Sequence, residues 1–109
     1  MRFQSLVFIL VVLLASVATN QADFVDVNDP HVIEIATFAV TEYNNQHTEA
    51  KLVFEKVMSG VSNVVDNETR YSLTLSAKNG SASNNYDTIV LEKSSENFSL
   101  IAFALNPHA

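Results

Sequence analysis

Three histidines, twelve carboxylates and a scatter of serines could in principle support metal binding, general acid–base chemistry or nucleophilic catalysis. Their spacing supports none of these. His31, His47 and His108 fall at a helix start, in a loop and at the C-terminus. A metal centre needs three or four converging ligands, so the histidines read as solvated side chains and no metal is expected. The carboxylates are spread evenly, and no pair stands out for acid–base work. The serines include no G-x-S-x-G elbow. Cysteine is absent, which removes thiol nucleophiles, thiolate metal sites and disulfides together. With two glycines only, Gly60 and Gly80, a phosphate-cradling loop is excluded. The expectation is a chain without catalytic residues or cofactor, which acts by binding another protein.

The elements that carry these residues follow from length and pattern. The 109 residues suffice for one domain, and 48% of them are apolar, enough for a hydrophobic core without disulfide staples. The formal charge of -6 would repel a phosphate backbone, so nucleic acid is not an expected partner. Residues 1–18, MRFQSLVFILVVLLASVA, combine Arg2, an unbroken apolar run and small residues at Ser16-Val17-Ala18. That is the pattern of a secretory signal peptide cleaved after Ala18. The run is shorter than the roughly 20 residues of a spanning helix, so no membrane association is expected after its removal. The mature chain, 19–109, would be secreted to the extracellular space or apoplast, or reach the vacuole through the same pathway. It would carry a charge of -7 once Arg2 is lost. In that compartment Asn67-Glu68-Thr69, Asn79-Gly80-Ser81 and Asn97-Phe98-Ser99 are acceptor sequons for N-linked glycans.

Residues 19–28 are polar and aperiodic, as in an extended arm. Asp29-Pro30 is a helix start, with Asp29 as cap and Pro30 in the first turn. Val32, Ile33, Ile35, Ala36, Phe38, Ala39, Val40 and Tyr43 mostly recur at helical spacing and predict an amphipathic helix over 30–45. Its wide apolar arc predicts a sheet that embraces it. Valine-rich 52–65 predicts a strand with a bulge near Ser59-Gly60. Tyr71, Leu73, Leu75 and Ala77 alternate with polar residues, as in a strand with one buried face over 70–77. Lys78 to Asn85 reads as a polar loop around Asn79-Gly80, and 86–93 and 98–105 as the last two strands, joined by a turn at Ser94 to Asn97. The sum is an α+β domain, one helix against a four- to five-stranded antiparallel sheet.

Ile35-Ala36-Thr37-Phe38-Ala39-Val40-Thr41-Glu42-Tyr43-Asn44 closely resembles the helix signature of plant cystatins. Asp26 to Val32 resembles the family's lead into that helix. Leu52-Val53-Phe54-Glu55-Lys56-Val57, Tyr71 to Ala77 and Tyr86 to Lys93 resemble its following strands, in order. The resemblance implies a cystatin-like fold and reversible, tight inhibition of papain-like cysteine proteases, a role in plant defence. In that family a glycine-containing N-terminal trunk, a first hairpin with Gln-x-Val-x-Gly and a second with Pro-Trp form a wedge that occludes the cleft. It implies protease contacts at Asn63, Val64, Val65, Asp66 and Asn67 of the first hairpin, Ser94 and Ser95 of the second, and Phe24 and Val25 of the arm.

These pieces depart from the family pattern. The arm lacks glycine, Asn63 stands for Gln, Asn67 for Gly with Glu68 as an extra residue, and Ser94-Ser95 for Pro-Trp. Loss of a Trp anchor typically costs about 2 kcal/mol or more of binding. Weakened inhibition is therefore expected. The alternative is a secreted cystatin-fold interaction protein that has lost inhibition. A monomer and a domain-swapped dimer are equally compatible with the sequence.

Overall fold

The computed structural model describes residues 22–94 and 97–107. The signal-like segment 1–18, the start of the arm, Ser95 and His108 lie outside these described residues. The elements run β1 (Asp23–Phe24), α1 (Pro30–Gln46), β2 (Leu52–Val65), β3 (Glu68–Asn79), β4 (Ala82–Ser94) and β5 (Asn97–Leu105). The strands form one antiparallel sheet in the order β1-β2-β3-β4-β5, with α1 packed across one face.

The helix begins where the cap residue places it. Asp29 has extended angles, and its Oδ1 accepts the His31 N–H at 3.0 Å, while Pro30 fills the first turn where no donor is needed. Val32, Ile35, Ala36, Ala39 and Val40 are buried on its inner face. They meet Leu52, Val57, Leu73, Leu75, Ala77, Tyr86 and Val90 from β2, β3 and β4. Ile35, Leu73, Leu75 and Val90 are essentially inaccessible, and each buried aliphatic side chain of this size stabilises the fold by about 1.5–3 kcal/mol. At the far end of α1, Asn44 clamps helix to sheet: its Nδ2 donates to the Leu52 carbonyl at 2.9 Å and its Oδ1 accepts the Leu52 N–H at 3.2 Å. Tyr43 stacks between His47 and Phe103, with centroids at 4.3 and 4.4 Å.

Three details differ from the sequence-based expectation, and a fourth refines it. The polar loop at Lys78 to Asn85 is instead a continuation of β3 and β4 around a two-residue turn at Gly80-Ser81, with Lys78 opposite Ser83 and Asn79 opposite Ala82. Exposed polar side chains at the far end of a hairpin look like a loop because neither face is buried there. The arm contributes a short strand, with Asp23 opposite Ser62 and Phe24 opposite Val61. The bulge expected near Ser59-Gly60 is present one step earlier, as a register shift of β2 between Val57 and Ser59, with a second shift between Phe54 and Lys56, while Gly60 itself stays in register opposite Leu73. Gly60 serves close approach: a Cβ there would collide with the Leu73 side chain and lie 3.0 Å from the Ser72 carbonyl oxygen. Lastly, Glu68 is not an additional loop residue but the first residue of β3, paired with Val65.

Candidate proteinase-binding edge

Sheet register brings the three family-matched segments to one end of the molecule. Val65 pairs with Glu68 at the tip of the β2–β3 hairpin, Thr69 pairs with Glu92 on β4, and Ser94 pairs with Asn97 at the β4–β5 hairpin. The arm runs alongside, antiparallel to β2, with Asp23 beside Ser62. Residues as far apart in the chain as Asp23 and Asn97 thus share one edge.

The first hairpin closes through Asp66 and Asn67, with φ of 54° and 67°. Two consecutive positive φ values define the two-residue turn whose twist suits a hairpin. Asn and Asp tolerate these angles better than other non-glycine residues because their short polar side chains bond locally. The hairpin therefore closes tightly without the family's glycine. Beside the turn Val64 is 57% and Val65 39% exposed. These are large apolar residues left in solvent at a tip, flanked by the carboxylates of Asp66 and Glu68. Asn63 is half-buried opposite Arg70, set back from the tip.

The two arm residues divide in role. Phe24 is 92% exposed. Val25 is not a free contact: its N–H donates to the Gly60 carbonyl at 3.0 Å, and its side chain packs against the core cluster. Val25 anchors the arm, and Phe24 is the side chain it presents. Of the second hairpin, Ser94 ends β4 and Ser95 lies outside the described residues.

Behind this edge lies a polar cluster that sequence reasoning missed. His31 stays partly exposed but is not a free solvated side chain: its Nε2 sits 3.1 Å from both carboxylate oxygens of Glu92, and its Nδ1 is 3.3 Å from Glu34 Oε1. The Tyr71 hydroxyl donates to Glu92 Oε1 at 3.4 Å, and the His31 ring lies against Tyr71 and Phe98. The hydrogen bond to Glu92 raises the His31 pKa above its usual value, with partial burial opposing. Burial, and then Glu92, push the Tyr71 phenol up. No local pattern links positions 31, 71 and 92; only the fold does. A second bridge lies near the other end, where Glu55 accepts from Ser76 at 2.7 Å and Ser83 at 3.2 Å, and the Ser76 hydroxyl lowers its pKa.

Among the described residues no group of three or more His, Cys, Asp or Glu is placed to hold a metal ion, and no helix is long and apolar enough to cross a membrane. What the edge offers chemically is an exposed apolar ridge on a rigid sheet, suited to filling a concave surface.

Comparison with known proteins agrees with this architecture. The family model SQAPI, described as "Aspartic acid proteinase inhibitor", matches residues 24–105. Cysteine proteinase inhibitor 5 of Arabidopsis thaliana is 43% identical over 93 residues, 82% of this chain and 75% of that protein. Cystatin-1 of Zea mays is 42% identical over 71 residues, 65% of this chain and 51% of that protein. The solution structure of the squash aspartic acid proteinase inhibitor superposes with a TM-score of 0.57 at 38% identity, covering 74% of this chain and 86% of that one. The family-model match spans α1, β2, β3, β4 and β5, and the chain belongs to the plant cystatin family of proteinase inhibitors, matching the family described as aspartic acid proteinase inhibitor.

Proposed function

We propose that the chain is a reversible, weakened inhibitor of papain-like cysteine proteases that works by occluding the active-site cleft. The observation that carries this reading is the convergence of Phe24, Val64 and Val65, all exposed, at one end of the sheet. An apolar ridge of this kind fills a cleft and excludes water. It also presents no extended scissile bond to the catalytic thiolate, because the hairpin backbone is held in the sheet ladder. Potency is limited by two features. Asp66 and Glu68 must be desolvated or remain at the rim when the tip inserts, and Ser94-Ser95 supplies no aromatic anchor.

The name of the matched family and that of the squash neighbour favour a second reading, inhibition of an aspartic acid proteinase through the same edge. The tip fits either target because its contacts are apolar and sequence-tolerant. Parallel titration of residues 19–109 against papain and pepsin separates the two. Competitive inhibition of papain with pepsin unaffected supports the first reading. The reverse supports the second.

A further inference from the structure

The three sequons are not scattered over the surface. Each falls at a hairpin turn. Asn67 is the second turn residue of the β2–β3 hairpin, Asn79 is the last residue of β3 before the Gly80 turn, and Asn97 opens β5 directly after the β4–β5 turn. The antiparallel register puts Asn67 and Asn97 at the same end of the sheet, with Phe24, Val64 and Val65, and Asn79 at the opposite end. All three asparagines are exposed.

Attachment of the glycan precedes folding, so the folded state must leave room for it. An exposed asparagine at a turn does so, and Asn67, at φ 67°, stands on the outermost point of its hairpin. A glycan is bulky and strongly hydrated. On Asn67 it would stand next to Val64 and Val65, in the space a protease cleft must occupy. On Asn97 it would flank the second hairpin. On Asn79 it would face away from both.

We propose that Asn67 and Asn97 are N-glycosylation sites whose occupancy masks the inhibitory edge, while a glycan on Asn79 leaves it open. The bare and modified chains would then differ in activity with the same fold. The masking half rests on the inhibitor reading above, and the modification half rests on passage of the chain through the secretory pathway. The chemistry is N-linked transfer from a lipid-diphosphate-linked oligosaccharide: the side-chain amide nitrogen of an N-x-S/T asparagine attacks the sugar C1, the C1–O bond to the diphosphate breaks as the C1–N bond forms, the amide gives up one proton, and the lipid diphosphate departs, with no change of oxidation state.

The test uses full-length protein secreted from plant cells, beside the unglycosylated 19–109 chain from bacteria. Three variants each retain one sequon, the other two asparagines being changed to Asp, which preserves the positive φ at position 67. Occupancy is read by intact mass before and after enzymatic deglycosylation, folding by circular dichroism, and inhibition against papain and pepsin. The expected result is a glycan on Asn67, about tenfold or greater loss of inhibition in the Asn67-only and Asn97-only glycoforms, and recovery on deglycosylation. The Asn79-only glycoform should match its bare counterpart. An unmodified Asn67 in the secreted chain would overturn the proposal, as would an occupied Asn67 that inhibits like the bare protein. If the bare chain inhibits neither protease, the inhibitor reading fails and the masking half with it, while the mass at Asn67 still decides the modification half.

Discussion

His31 Nε2 lies 3.1 Å from both carboxylate oxygens of Glu92, across 61 residues of chain, and so ties the first turn of the helix to β4 just behind the second hairpin. The groups facing this imidazole are Glu92 from β4, Tyr71 from β3, Phe98 from β5, and Asp29 and Glu34 beside it at the helix start. Among the described residues the ionisable groups that act on His31 are the carboxylates of Glu92 and Glu34, so the protonated imidazole is favoured.

The sign of the pH dependence follows. A histidine whose folded pKa exceeds its unfolded value stabilises the fold fully below the unfolded value, near 6.5, and this contribution is lost as pH rises through the folded value. Glu92→Gln should therefore lower the thermal midpoint more at pH 5 than at pH 8, and His31→Gln should show the same trend. Midpoint differences from the parent that are equal at the two pH values would contradict this account.

Gly60→Ala tests the close approach of β2 to β3. A methyl group at this position meets the buried Leu73 side chain and the Ser72 carbonyl, and Val25 Cγ2 closes the third side at 3.2 Å. The expected cost is about 1–3 kcal/mol in urea unfolding, as for an overpacked interior. Since Val25 also bonds to the Gly60 carbonyl, β1 should loosen and the amides of residues 23–25 should exchange faster. A neutral substitution would show that the strands can separate at no cost.

Ile35→Ala removes a wholly buried side chain from the helix face that meets the sheet. Denaturant unfolding should show a loss of about 2–5 kcal/mol, the range for cavities of this kind. A loss below about 0.5 kcal/mol, the size expected of a surface substitution, would mean that the helix is not the element holding the sheet.

The hairpin tip separates binding from stability. Val64→Ser and Val65→Ser alter exposed residues, so the unfolding free energy should change by no more than about 0.5 kcal/mol. Inhibition should fall by about tenfold or more, because the ridge that fills the cleft is removed. Asn67→Gly should retain the fold, since glycine adopts the positive φ without strain. Unaltered inhibition by both serine variants would move the contact surface away from this tip.

Much of the scaffold was legible in the sequence because burial imposes a period. Leu73, Leu75 and Ala77 alternate into the core, and Asp29-Pro30 starts the helix where the structure has it. Legibility failed where one side of the pattern disappears. Lys78 to Asn85 belongs to a hairpin whose outer part is solvated on both faces, so no alternation marks it. The edge itself was only partly readable. Asn63 to Asn67 could be placed on a hairpin from its family pattern, but Val25 as an anchor and Glu68 as a strand residue depend on pairing with distant segments. The His31–Glu92 contact depends wholly on tertiary packing, and no local signal encodes it.

The most direct measurement is the inhibition of papain by the bare 19–109 chain, compared with its Val64→Ser variant at equal concentration. Competitive inhibition in the micromolar range is expected for the parent and its loss in the variant, with both proteins folded. Absence of papain inhibition at high micromolar concentration would contradict the central claim, and nanomolar inhibition would contradict its weakened form.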